Sequence, residues 1–365
     1  MESSIERIKP QVRALRPYSL SPDRAGVKIN QNENPWDAPA RIKQETLRRL
    51  ERREWSRYPD FIPTDLQARL AEFSGWQPEG IIAGNGSNEL IQALLMVTVG
   101  PGCRVLIPEP TFALYRQIVT VLGGEVISVP LTSSLDYDLK ALQATVSEMQ
   151  PDVTIICSPN NPTGCAISDT SLRMLLGFTS SLVVVDEAYH EFAEHSVVPL
   201  LREHENLVVL RTFSKAMAMA ALRVGYLLTA PELALEIRKA VLPYNLNAMS
   251  QAAGEVAVEL YEAELRPLVR QIIAERGRLY AELNSIEGLA PVRSQGNFMV
   301  VRSSINPRKV FGELINRNIL IRDVSSYPML EEYFRVSVGT PEENDLLLTA
   351  LREIFAGDSA KLTGV

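Results

Sequence analysis

The sequence contains little histidine or cysteine and no long apolar run. Three histidines are too few for a His-rich metal centre, and the three cysteines, Cys103, Cys157 and Cys165, form no C-x-x-C pair. An odd number of unclustered cysteines suits a reducing compartment and predicts a cytoplasmic protein. No run of about 18 apolar residues is present, so we predict no membrane-spanning helix. The polar segment 1–7 lacks the apolar core of a secretory signal.

The sequence also contains fewer positively charged than negatively charged residues. The chain has 37 Lys+Arg against 44 Asp+Glu, a net charge of -7. Such a balance argues against nucleic acid or an anionic membrane as the main partner. An anionic small-molecule substrate remains compatible, because a local pocket can oppose the global sign. With 365 residues, 46% of them hydrophobic, the chain can form a large core and two domains.

Short apolar runs alternate with helical segments from about residue 81 onward. The predicted strands span residues 81–83, 104–107, 125–129, 153–157, 182–185 and 207–210. This alternation predicts an α/β fold with a mainly parallel sheet covered on both faces.

Beyond about residue 231 the pattern changes. Long helices such as 251–283 precede two strands, 297–302 and 333–338, which indicates a smaller α+β domain. We therefore predict an irregular N-terminal arm (1–40) that packs with the small domain, a large α/β domain (41–250) and a small domain (251–365).

Ligands of open α/β sheets bind at the carboxyl ends of strands, so the loops that follow strands are informative. Gly84-Asn85-Gly86-Ser87-Asn88 leads into a helix and would expose backbone N–H groups to a phosphate, or would form a simple N-cap turn. The loop 158–164, Ser-Pro-Asn-Asn-Pro-Thr-Gly, would present side-chain amides, or form a tight surface turn.

Two further loops carry charged groups. Asp186 follows a buried strand, where a carboxylate is costly without a partner. Metal ligands of suitable spacing are missing, and a protonated heterocyclic nitrogen would fit. Lys215 follows another buried strand and precedes the apolar stretch 216–221. It is either a solvated cation or an amine of lowered pKa that can form a Schiff base. One cofactor, pyridoxal 5'-phosphate, uses a phosphate cradle, an amide, a carboxylate and an amine together.

Several motifs in combination carry a resemblance that runs from about Asn30 to Ile354. They are Asn32-Glu33-Asn34-Pro35, Arg57-Tyr58-Pro59, Gly84 to Glu89, Pro110-Thr111-Phe112, Ser158 to Gly164, Asp186 to Tyr189, Ser214-Lys215, Leu222-Arg223 and Arg335 to Gly339. In these motifs the sequence resembles the fold-type I aminotransferases, which use pyridoxal phosphate, and within them the histidinol-phosphate aminotransferase group. The resemblance implies that the large domain contains a mainly parallel sheet of the seven-stranded type.

The resemblance also implies roles for single residues. Lys215 would hold the cofactor covalently as an internal aldimine and shuttle the proton, while Asp186 would pair with the ring nitrogen. Asn161 and Tyr189 would hold the phenolic oxygen, with Tyr189 part of the catalytic group. The remaining cofactor contacts would be Phe112 on the ring face, Ser87, Asn88, Ser214 and Arg223 at the phosphate, and Tyr58 from the neighbouring subunit of a homodimer.

On the substrate side, the resemblance implies that Arg335 binds the donor's carboxylate or faces its amino alcohol end. Arg322 would bind a substrate phosphate, unless it merely pairs with Asp323. Tyr18 and Tyr115 would line the same pocket, and Asn34 would also bind substrate. The implied reaction transfers the amino group of histidinol phosphate to 2-oxoglutarate, giving imidazole acetol phosphate and glutamate, a step of histidine biosynthesis.

Other functions stay open at this point. Within the family these are an aromatic amino acid aminotransferase and a phosphothreonine-type decarboxylase. A cofactor-binding regulator is disfavoured by the intact Lys215 and Asp186, and a Rossmann oxidoreductase by the absence of a strand–G-x-G-x-x-G–helix unit. Met217 and Ala221 depart from the aromatic residue and the glycine usual in relatives, so they put the fine shape of the pocket in question.

Overall fold

The computed structural model describes residues 4–17 and 22–363. Within them the strands form one large sheet and two smaller ones. They are β1 (Val27–Lys28), β2 (Ile81–Gly84), β3 (Arg104–Glu109), β4 (Glu125–Pro130), β5 (Val153–Cys157), β6 (Leu182–Asp186), β7 (Leu207–Thr212), β8 (Gly225–Leu228), β9 (Leu289–Pro291), β10 (Phe298–Ser303), β11 (Ile319–Leu320), β12 (Arg322–Asp323) and β13 (Tyr333–Ser337).

Helices cover the large sheet and flank the smaller ones. They are α1 (Pro10–Arg13), α2 (Ala40–Leu50), α3 (Thr64–Ser74), α4 (Ser87–Thr98), α5 (Leu114–Leu122), α6 (Leu139–Met149), α7 (Asp169–Gly177), α8 (His190–Ala193), α9 (Pro231–Arg238), α10 (Ala248–Glu259), α11 (Arg266–Asn284), α12 (Pro307–Ile315) and α13 (Pro341–Thr363). None of the helices in the described part of the chain is long and apolar enough to cross a membrane. The cytoplasmic location stays a prediction.

The large sheet has seven strands in the order β2-β8-β7-β6-β5-β3-β4. All neighbours pair in parallel except β8, which is antiparallel to both β2 and β7. The predicted α/β class with a mainly parallel sheet is therefore confirmed. The predicted strands do not include β8, because its four residues follow the Lys215 loop after only a short 3-10 helix at Ala220–Leu222.

Side chains of successive strand residues enter opposite cores. In β6, Val183 and Val185 pack on one side with α3, α6, α7 and α10, and Val184 packs on the other with α4, α5 and α9. Each side chain is 2% exposed or less. This double coverage explains why the strand is apolar throughout until it ends at Asp186.

The C-terminal part contains the four-stranded antiparallel sheet β12-β13-β10-β9, covered by α11, α12 and α13. Val27 and Ile29 of the N-terminal arm belong to the same core, and β1 pairs with β11. The arm is thus less irregular than expected, since apolar side chains at 27 and 29 anchor it. The boundaries of the three predicted segments remain predictions.

The single helix predicted for residues 251–283 is wrong. The structure has α10 and α11, separated by a π-helical turn at Tyr261–Leu265. Pro267 lies in the first turn of α11. Proline has no N–H to donate to a preceding turn, so it favours the start of a new helix over continuation of the old one.

Candidate active site

A cavity of about 490 Å³ opens at the carboxyl ends of the large sheet. Its lining combines the loops after β2, β5, β6 and β7 with the N-terminal arm and with β12 and β13. Among the lining residues are Gln31, Asn32, Ser87, Asn88, Phe112, Tyr115, Asn161, Asp186, Tyr189, Ser214, Lys215, Arg223, Arg322, Tyr327 and Arg335. The structure thus brings together most of the residues proposed from the four loops.

An anion cradle lies where β2 turns into α4. Gly86 is the N-cap residue with φ +77°, and Ser87 begins the helix. A Cβ at Gly86 would overlap the Arg223 guanidinium, so glycine is required for this close approach. Arg223 donates from Nη1 to Ser214 Oγ at 3.0 Å. A helix N-terminus beside an arginine and hydroxyl groups is a suitable phosphate site.

Asp186 is buried at the end of β6. Its Oδ2 accepts a hydrogen bond from the Tyr115 hydroxyl at 2.6 Å, and its Oδ1 accepts one from Ala188 N–H at 3.0 Å. Burial raises the pKa of this carboxyl, and the two donors oppose that shift. No cationic side chain among the described residues forms an ion pair with it, so a cationic ligand group would complete the site.

A second group of polar side chains surrounds the Tyr189 hydroxyl. That hydroxyl accepts from Asn32 Nδ2 at 3.1 Å and from Asn161 Nδ2 at 3.3 Å, and burial raises its pKa. Asn161 Oδ1 in turn accepts from Arg335 Nη1. Arg335 also donates from Nη2 to the Asn30 carbonyl at 2.7 Å. These bonds fix a tyrosine, an amide and an arginine along one side of the cavity.

Lys215 lies between these groups. Its Nζ donates to the Gln31 carbonyl at 2.8 Å and lies 5.9 Å from the centre of the Tyr189 ring. Burial lowers the pKa of this amine to about 7, and the neighbouring Arg335 charge acts in the same direction. A substantial fraction of the side chain is therefore neutral near pH 7, as a nucleophile or general base requires.

Arg322 faces Arg335 across the β12–β13 pair. Both line the cavity, but the Arg322 guanidinium forms no hydrogen bond or ion pair with the other described residues. Asp323, the alternative partner considered from the sequence, lies 3.7 Å from Arg308 Nε instead. The Arg322 guanidinium is thus available to an anionic ligand.

The other predicted residues occupy different positions. Asn34 lies outside the cavity lining and donates to the Ala216 carbonyl at 3.1 Å. Tyr58 is 80% exposed and stacks on Tyr244 with ring centres 4.4 Å apart. Tyr115 is engaged with Asp186, and Tyr18 lies outside the described residues. The assignments of all four stay predictions.

Gln31 and Asn32 line the cavity but are not among the site residues predicted from the sequence, although Asn32 begins one of the motifs of the resemblance. Both residues belong to the arm, and their contacts with Tyr189 and Lys215 span more than 150 residues of sequence. The polar run Asn30 to Asn34, flanked by the apolar Val27 and Ile29, is the signal that could have indicated a buried polar segment.

The two departures from the family pattern are accommodated locally. Met217 is 1% exposed and packs in the core of the large sheet. Ala221 lies in a short 3-10 helix, and its φ is outside the left-handed region. Neither position therefore needs the residue that relatives usually carry.

Comparisons with known proteins identify the family. The family described as aminotransferase class I and II matches residues 24–351. The chain is 39% identical over 360 residues to histidinol-phosphate aminotransferase of Chlorobium phaeovibrioides, which covers 98% of this chain and 99% of that protein. It is 37% identical over 349 residues to the protein of the same name in Chlorobaculum tepidum, covering 95% and 100%.

A similar fold occurs in solved structures. Histidinol-phosphate aminotransferase of Sinorhizobium meliloti, solved in complex with pyridoxal-5'-phosphate, superposes with a TM-score of 0.88 over 97% of this chain and 99% of that chain, at 24% identity. L-threonine-O-3-phosphate decarboxylase of Porphyromonas gingivalis gives 0.79 over 90% and 99%, at 22% identity.

Proposed function

Because the chain belongs to the aminotransferase class I and II family, we propose that it transfers the amino group of histidinol phosphate to 2-oxoglutarate, a step of histidine biosynthesis. The choice of substrate depends on the position of Arg322, whose guanidinium lines the cavity. The cavity already has an anion cradle at α4, and Arg322 offers a second cationic group on the opposite wall. A donor with its own phosphate uses both, since an arginine fork suits phosphate oxygens.

The residues of the cavity fit pyridoxal 5'-phosphate as the cofactor. The cradle formed by Gly86, Ser87 and Arg223 has the charge and the open backbone that a phosphate needs. Asp186 is a buried carboxylate without a cationic partner among the described side chains, which suits a protonated ring nitrogen. Lys215 supplies an amine of lowered pKa for the aldehyde. When bound, this cofactor supplies an electron sink for the carbon that loses a proton.

The chain's own residues then have separable tasks. Lys215, as a neutral amine, removes the proton from the amino-bearing carbon of the substrate and later returns it as an acid. Asp186 keeps a proton on the ring nitrogen, and Tyr189 with Asn161 orients the phenolic oxygen. Arg335 binds a carboxylate of the second substrate pair, 2-oxoglutarate and its product glutamate, while Arg322 binds the phosphate of the donor.

Substrate comparison tests this proposal directly. One purified preparation is assayed with histidinol phosphate, phenylalanine and phosphothreonine, each with 2-oxoglutarate. We expect the highest kcat/KM for histidinol phosphate. Faster turnover of phenylalanine would favour the aromatic aminotransferase, and release of carbon dioxide from phosphothreonine would favour the decarboxylase. The names of the relatives favour neither alternative.

A homodimer with shared active sites is part of the proposal. Five large hydrophobic side chains in two short segments of the sequence are exposed to solvent. They are Trp55 (86% exposed), Tyr58 (80%), Phe61 (60%), Leu242 (72%) and Tyr244 (41%). Tyr58 and Phe61 both pack on Tyr244, which gathers them into one surface patch. An exposed aromatic patch of this kind indicates a protein interface, and a second copy would cover it while Tyr58 reaches the neighbouring phosphate cradle.

The shared site predicts which subunit Tyr58 serves. Tyr58→Phe should weaken cofactor binding about 5-fold, the effect of one hydrogen bond of about 1 kcal/mol. In a mixed dimer of Tyr58→Phe and Lys215→Ala subunits, the intact lysine should bind the cofactor with wild-type affinity, because its tyrosine comes from the other subunit. Full activity of a monomer at high dilution would contradict the proposal.

A further inference from the structure

The Tyr115 hydroxyl reaches the carboxylate that the proposed function assigns to the cofactor's ring nitrogen. Tyr115 lies in the first turns of α5 and is 0% exposed, and Asp186 lies at the end of β6, 71 residues later. The hydroxyl donates to Asp186 Oδ2 at 2.6 Å. We propose that Tyr115 is a positioning residue, which holds the Asp186 carboxylate in the orientation that binds the ring nitrogen. This inference rests on the proposed function.

The hydrogen-bond pattern around Asp186 supports this role. Each carboxylate oxygen has one donor: Tyr115 for Oδ2 and the backbone N–H of Ala188 for Oδ1. Of these two, only Tyr115 is a side chain, so it is the donor that substitution can remove. Two donors on different oxygens fix the plane of the carboxylate, while each oxygen retains a lone pair for a ligand.

The charges around the pair explain why a hydroxyl is needed there. Burial and the nearby Glu187 raise the pKa of Asp186, and the Tyr115 bond is the largest contribution that lowers it. Burial and the charge of Asp186 raise the pKa of Tyr115 itself, and they also raise the pKa of the neighbouring Cys157 thiol. The Tyr115 hydroxyl and the Cys157 thiol therefore stay neutral near pH 7. Tyr115 is then available as a donor whenever Asp186 is ionised.

The packing of the Tyr115 ring allows Tyr115→Phe to remove the hydroxyl without changing the core around it. The ring belongs to the core formed by α4, α5 and α9, and it meets Phe112 edge-on with centres 5.6 Å apart. Phenylalanine keeps this apolar volume and removes only the hydroxyl. Phe112 in turn lines the cavity. Tyr226→Phe is a matched control, because that buried hydroxyl contacts Arg211 instead of Asp186.

The test compares two probes on apo-protein: pyridoxal 5'-phosphate and its 1-deaza analogue, in which C–H replaces the ring nitrogen. Dissociation constants are measured for wild type, Tyr115→Phe and Tyr226→Phe. We expect Tyr115→Phe to weaken binding of the natural cofactor about 10-fold or more, the scale of one hydrogen bond to a charged group. Binding of the deaza analogue should change little, and Tyr226→Phe should affect neither.

Two results would overturn the inference while leaving the proposed function intact. One is an equal loss for both probes in Tyr115→Phe, which would mean that the hydroxyl supports only the fold. The other is wild-type affinity of Tyr115→Phe for the natural cofactor. Wild-type protein that binds both probes equally would overturn the inference together with the proposed task of Asp186.

A second background tests whether the effect of Tyr115→Phe acts through Asp186. In Asp186→Asn protein, the hydroxyl has no carboxylate to hold, so adding Tyr115→Phe should cause no further loss of cofactor affinity. An additional 10-fold loss in the double variant would show that Tyr115 acts independently of Asp186 and would contradict the inference.

Discussion

The two walls of the cavity differ in how firmly the protein holds its own polar groups. On the wall formed by the large sheet, which we call the cofactor wall (residues 86–88, 161, 186–189, 214–223), Asp186 and Tyr189 each accept two hydrogen bonds. On the opposite substrate wall (residues 322–335), the Arg322 guanidinium forms no hydrogen bond or ion pair within the described part of the chain. Under the proposed function, the groups that would hold the cofactor are therefore arranged in advance, whereas the group that would bind the substrate phosphate is left available.

Arg335 connects the two walls. It belongs to β13 on the substrate wall, yet it donates to Asn161 on the cofactor wall and to the Asn30 carbonyl of the arm. Its side chain is therefore held in place before any ligand binds. Under the proposed function, this arrangement suits the carboxylate next to the reacting carbon that glutamate and 2-oxoglutarate share. Histidinol phosphate has no carboxylate, and its phosphate would bind Arg322.

The largest effect should come from the centre of the cofactor wall. Lys215→Ala removes the amine that forms the Schiff base and moves the proton, so turnover should fall by more than the 10²–10⁴-fold, roughly, of general base catalysis alone. Some cofactor should remain bound through the cradle at Arg223, as measured after gel filtration. Lys239→Ala, at an exposed lysine paired with Glu236, is the control. Normal turnover would refute the assignment of Lys215.

Asp186→Asn tests whether catalysis needs the negative charge of this carboxylate or only a side chain of the same size and shape. An amide fits the same space but does not keep the ring nitrogen protonated. We expect an unchanged circular dichroism spectrum and a rate lower by about 10²-fold or more, on the scale of losing one preorganised electrostatic contact. Asp169→Asn, on the exposed partner of His195, should leave the rate unchanged. A near-normal rate for Asp186→Asn would assign this carboxylate to structure alone.

The lowered pKa of Lys215 has a consequence for apo-protein stability. The amine titrates near pH 7 in the folded state and near 10.5 when unfolded. Between these values the unfolded chain binds the extra proton, so the free energy of unfolding rises with pH, by at most about 1.4 kcal/mol per unit. Urea unfolding of apo-protein at pH 7 and pH 9 should show this rise in wild type and lose it in Lys215→Met. Parallel behaviour of both proteins would mean that the amine is not perturbed.

Arg322→Ala examines the substrate wall alone. The KM for histidinol phosphate should increase about 10-fold or more, from a charge-assisted bond of roughly 1.5–3 kcal/mol. Activity with phenylalanine, which has no phosphate, should hardly change. Arg308→Ala, on an exposed neighbour that contacts Asp323, serves as the control. An equal loss with both substrates would mean that Arg322 supports the fold, and the contrast between the walls would disappear.

The sequence predicted the cofactor wall better than the contacts that hold it. The sequence indicates both Lys215 and Asp186, because Asp186 ends the buried apolar strand β6 and Lys215 lies in the loop after β7, a local pattern that a chain displays without its fold. The bonds from Tyr115 to Asp186 and from Asn32 to Tyr189 join segments 71 and 157 residues apart, and no local pattern encodes such pairs. The β12–β13 register, which sets Arg322 opposite Arg335, likewise depends on tertiary packing.

Backbone strain is a further feature that the sequence does not display, and it provides the smallest predicted effect. Ala218, three residues after Lys215, has φ +56°, where an L-residue with a Cβ is disfavoured. Its N–H donates to the Lys215 carbonyl at 3.3 Å, so the strained turn closes directly on the residue that carries the amine. The cofactor wall is therefore held in place at a small cost in backbone energy, as functional loops often are.

Ala218→Gly should relieve this strain. The gain is partly offset because glycine adds freedom to the unfolded chain, so the free energy of unfolding should rise by no more than about 1 kcal/mol. Ala281→Gly, at an exposed position within α11, should lower it by a similar amount, about 0.8–1 kcal/mol, because there the helix already suits alanine. Opposite signs for the two substitutions in urea unfolding would locate the strain in the Lys215 loop. Equal destabilisation would show that the turn at Ala218 costs the fold nothing, and the cofactor wall would then owe its rigidity to hydrogen bonds alone.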